Sequence, residues 1–62
     1  MESFDELADE IAGIETRVSD AIFDTVREQL RTDTTQAKEL ERQLSKVRRS
    51  LQKAQFVLRG LS

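Results

Sequence analysis

Fold this chain back on itself near Thr34 and its apolar residues meet in pairs. Leu30 faces Ala37, Val26 faces Leu40, Ile22 faces Leu44 and Val18 faces Val47. Ile14 then faces Leu51, Ile11 faces Ala54, Leu7 faces Leu58 and Phe4 faces Leu61. The residue numbers in each pair sum to between 65 and 67, as they do in two antiparallel helices of equal length lying side by side. An all-α, coiled-coil-like hairpin is therefore expected, one domain over residues 1–62. Helix 1 should run over about 3–31, the turn over 32–34 and helix 2 over 34–60.

Local signals support those limits. Ser3 is placed to cap the first helix with Glu6 reaching back to it, and Asp5, Asp9 and Glu10 suit the positive end of the helix dipole. Three threonines at 32, 34 and 35 lower helix propensity at the centre, where Asp33 with Gln36 reads as a second, weaker capping box. Gly60 stands where a left-handed residue would end the second helix and let Leu61 fold onto Phe56 or Val57. No Gly or Pro forces the central turn, so the alternative is an unbroken helix of about 90 Å.

The two halves differ in detail. On the second, Ala37, Leu40, Leu44, Val47, Leu51, Ala54, Leu58 and Leu61 keep a strict heptad. On the first, steps of three and four give way after Val18 to Ile22, Val26 and Leu30 in steps of four, a stutter that should rotate the stripe and bring Phe23 into it. Residues 1–33 hold ten acids and three bases, residues 34–62 two acids and seven bases. Antiparallel packing sets those opposite charges together.

Sixty-two residues give a small core that returns little more than the entropy of ordering the chain. With no Cys and no His, disulfides, thiolate zinc sites and the commonest general base are all missing. Oligomerisation is the staple left, and the hairpin is expected to dimerise into a four-helix bundle. The expected interface comprises Ala8, Ala12 and Gly13, a small-residue patch, with Ile22, Phe23, Val26, Leu30 and Phe56; Glu15 and Arg48 would set orientation at its edges. In length and outline such a unit is similar to the small dimeric RNA-binding hairpins of plasmid copy control. No motif is shared, so no functional residue is carried over.

Function is less legible than architecture. No Gly-rich phosphate loop or activated nucleophile is present, so no catalytic residue, cofactor, metal or small-molecule substrate is expected. The acidic ladder Glu6, Glu10, Asp20, Asp24 and Glu28 reads as solvated carboxylates. A non-enzymatic protein–protein interaction and oligomerisation module, structural or regulatory, is the first expectation; its partner is itself or another protein, as an antitoxin-like subunit would have. The alternative is a dimeric RNA- or DNA-binding regulator using Lys38, Arg42, Lys46, Arg49 and Lys53, which share one face of helix 2. Against it stand a net charge of −2 and a stripe without interleaved aromatics. The acidic N-terminal stretch and short apolar runs give neither a leader nor a span, so a soluble, cytoplasmic protein is expected.

Overall fold

A computed structural model describes residues 3–32 and 35–62. Two helices, α1 (Phe4–Thr32) and α2 (Thr35–Gly60), pack against each other over their lengths. The chain thus reverses direction rather than running on as a rod. Asp33 and Thr34, on which a second capping box and part of the turn were placed, lie outside the described residues.

The start of α1 follows from its cap. The Glu6 amide donates to Ser3 Oγ at 3.1 Å, satisfying one otherwise orphaned amide, and the Leu7 amide donates to the Ser3 carbonyl as the first bond of the helix. The end of α2 departs from expectation. Gly60 is still helical and not left-handed; the Leu61 and Ser62 amides close the last turn by bonding back three residues, to Leu58 and Arg59. Leu61, Phe56 and Val57 all stay exposed at this end.

Cross-helix hydrogen bonds give the register. Gln52 and Gln55 each donate to Glu15, Arg59 donates to Asp9 at 2.9 Å, Ser62 donates to Asp5, and Gln29 donates to the Ala37 carbonyl and to Glu41. These pairs sum to between 66 and 70, close to the spacing read from the sequence. The stutter, however, does not occur. Burial follows one heptad along α1, through Ala8, Glu15, Ile22 and Gln29 with Ile11, Val18 and Thr25 between them. On α2 it follows Ala37, Leu44, Leu51 and Leu58 with Glu41, Arg48 and Gln55. Thr25 and Gln29 thus hold the seam positions expected for Val26 and Leu30.

The reason is that both polar groups find partners. The Thr25 hydroxyl donates to the Ala21 carbonyl at 2.8 Å, and the Gln29 amide is shared between Ala37 and Glu41. A buried polar group that is hydrogen-bonded costs little, and an unshifted heptad keeps both helices in step. The result is a slab of 46 × 14 × 13 Å with a radius of gyration of 14.4 Å, against about 11 Å for a compact chain of this length. Its core is thin. Ala8, Ala37 and Thr25 are buried, and among the described residues no large side chain is fully enclosed.

Gly13 is exposed on α1, and a Cβ there would meet nothing within 4 Å. Gly13→Ala is therefore expected to raise stability by about 1 kcal/mol through helix propensity, read as a higher urea midpoint.

Candidate interaction surface

Two broad faces flank the seam, and the heptad rows define them. One groove is lined by Thr25 and Glu28 of α1 with Ala37 and Leu40 of α2. Extending those rows every seven residues adds Phe4, Ile11 and Val18, then Leu7, Ile14 and Ala21, and on α2 Val47, Ala54 and Leu61. This first face is apolar from Phe4 to Val18 and from Leu40 to Leu61, while Asp24, Glu28 and Gln36 also line its groove at the end nearest the turn. Phe4, Ile14, Leu40, Val47 and Leu61 are exposed on it.

The opposite groove is lined by Ser19, Ile22, Phe23 and Val26 with Arg48. Glu41 and Gln55 share the Arg48 row and Gln52 and Arg59 lie in the row beside it, so the bonds of Gln29 to Glu41, of Glu15 to both glutamines and of Asp9 to Arg59 close over this second face. Phe23 and Leu30 protrude from it at 72% and 82% exposure, beside that polar lattice. Arg48 lies in the groove with its Nε buried and without a hydrogen-bond partner.

The expected interface residues therefore separate. Ala8 is wholly taken up by the hairpin seam, which leaves it no surface for a second molecule. Gly13 points away from it, so Ala8, Ala12 and Gly13 form no common patch. Ile22 is half-buried in the seam; Phe23, Val26 and Leu30 border the second face; Phe56 stands apart on α2 at 80% exposure. Sequence reasoning missed the first face as a separate surface. Its signal was present: Leu40, Val47, Ala54 and Leu61 form one row and Leu44, Leu51 and Leu58 another, and a single partner helix covers only one of them.

The charged residues sit at the two edges. Glu6, Glu10, Asp20, Asp24 and Glu28 are exposed on α1, where Asp24 and Glu28 pair with Arg27 and Arg31 of the same helix. Lys38, Arg42, Lys46, Arg49 and Lys53 are exposed on α2, and no ion pair links them to a carboxylate among the described residues. The hairpin thus has an acidic edge and a basic edge. Among the described residues no group of three or more carboxylates is set to hold a metal ion, and no helix is long and apolar enough to cross a membrane.

Glu15 is the α1 carboxylate drawn into the seam. The Gln55 amide, then that of Gln52, hold its carboxyl below the ordinary value of 4.5; burial opposes them and the Arg48 charge assists. Glu39 is lowered too, first by Gln43 and then by Arg42. A carboxyl lowered by folding stabilises above its unfolded pKa and loses that contribution as pH falls through the folded value. The hairpin should therefore weaken below about pH 4.5. Glu15→Gln, which can still bond both glutamines, should make the drop in urea midpoint between pH 7 and pH 3 shallower.

Compared with models of known protein families, with curated proteins and with solved structures, the chain matches none. The reading of function below accordingly rests on the surfaces alone.

Proposed function

We propose that this chain is a non-enzymatic oligomerisation and protein-interaction module, whose activity is the docking of helices onto its apolar surface. One observation carries the reading. Among the described residues ten large hydrophobic side chains stay exposed while none is fully buried, an inversion of what a self-sufficient domain shows. Area points the same way. The hairpin exposes 4899 Å², against about 4,100 Å² for a compact monomer of 7.1 kDa. The excess, roughly 800 Å², is what each partner contributes to an interface of ordinary size.

The test is mass and helicity across a dilution series. An assembled chain loses mass and melts at lower temperature as it is diluted. A fully helical monomer of 7.1 kDa at every concentration, capturing no other helix, overturns the proposal.

A second reading rests on the basic edge. Five exposed cations spaced over α2, none in an ion pair with a described carboxylate, are arranged as a row of phosphate contacts would be. Charge reversal with Lys46→Glu and Arg49→Glu should abolish retention on RNA and DNA at low salt. Unchanged retention, or none by the parent chain, removes that reading.

A further inference from the structure

We propose that the first face is covered by a second copy of this chain, related by a two-fold axis running along the helices, so that each acidic α1 lies against the basic α2 of its partner. This rests on the interaction-module reading and adds an occupant, a face and an orientation.

The choice of face follows from how the seam closes. The second face is latched by glutamine and arginine bonds to Glu15, Glu41 and Asp9, and covering it would bury that lattice together with the charge of Arg48. Arg48 already holds a buried Nε without a hydrogen-bond partner, and taking its charge further out of water costs free energy. On the first face the polar lining, Asp24, Glu28 and Gln36, is gathered at the end nearest the turn. Leu44, Leu51 and Leu58 are half-buried in the seam, and the neighbouring row of Leu40, Val47, Ala54 and Leu61 stands beside them. A second helical layer set there turns two half-covered rows into a four-helix core.

Charge then selects the occupant and its orientation. α1 carries eight acids and three bases, a net of −5; α2 carries two acids and seven bases, a net of +5. Two arrangements bring the same face of two copies together with all helices aligned. With the axis across the helices, each α1 lies against its own copy, setting −5 beside −5 and +5 beside +5. With the axis along the helices, each α1 lies against the partner's α2, and both long edges pair opposite signs. A second copy is the partner whose charge pattern is complementary by construction.

Two measurements test this. Sedimentation equilibrium of the parent chain should give twice 7.1 kDa. Val47→Asp should raise the dissociation constant by on the order of 100-fold, because it places a charge at the centre of the covered face. Leu30→Ser, on the other face, should leave it unchanged. The orientation is read in the otherwise unaltered chain by a spin label at Gly60→Cys, a position where a side chain meets nothing within 4 Å. Labels at one end of the bundle lie on the order of 20 Å apart, two helix diameters; labels at opposite ends lie about 40 Å apart, the rise of α2. A dimer disrupted by Leu30→Ser but not by Val47→Asp overturns the face, and the longer distance overturns the orientation. Either result leaves the interaction-module reading standing; a helical monomer at every concentration removes the second-copy proposal, and the module reading falls only if that monomer also captures no other helix.

Discussion

Leu51→Ala is expected to cost about 2–5 kcal/mol, measured as the shift in urea midpoint times the common slope at a concentration where the parent is fully assembled. Leu51 lies midway along α2, half-buried in the seam and beside the apolar first face. In a lone hairpin its side chain is partly wetted, and truncation would remove about 1 kcal/mol of transfer free energy. Once a second layer closes over the face, the same truncation leaves a cavity in a four-helix core, and the larger range applies. The size of the loss therefore reports what lies above Leu51. A cost near 1 kcal/mol, independent of concentration, would show that nothing does.

Ala8→Leu is expected to destabilise the protein by about 1–3 kcal/mol, by the opposite route. Ala8 is the one described residue with no exposed surface, at the end of the seam where Arg59 meets Asp9. There the side chain enclosed between the two helices is only a methyl group. A leucine must push them apart and strain the bonds from Arg59 and Ser62 that fasten this end. Ala12→Leu, one turn along but less enclosed, serves as the control and should change the midpoint by less than about 0.5 kcal/mol. Equal effects at the two positions would mean that the seam is loose rather than tightly packed.

Much of the architecture was legible, and for a physical reason: periodicity reports which residues avoid water. The reversal at the threonine-rich centre, the helix limits and the pairing register all followed from the positions of apolar residues and from the Ser3 cap. The rotation of the seam was not legible by that means. Counting apolar residues places Val26 and Leu30 inward, whereas the helices keep an unbroken heptad and accept Thr25 and Gln29. Those two are admitted because Ala21, Ala37 and Glu41 satisfy them, a matter of three-dimensional partnering. Ile14 and Glu15 exchange roles likewise: the carboxylate turns inward to Gln52 and Gln55 while the isoleucine is left on the open face. Sequence spacing thus located the stripe but not how far its two halves turn away from one another. That turn is what creates two unequal faces.

The fastening of Asp9 to Arg59 and of Asp5 to Ser62 brings the start of α1 and the end of α2 to one pole. A fluorophore or affinity handle attached at Ser3 or Ser62 sits there, leaving the broad sides and the far pole clear. Immobilised by that pole, the molecule would stand upright on a support like the bristle of a brush, presenting its long sides to whatever flows past.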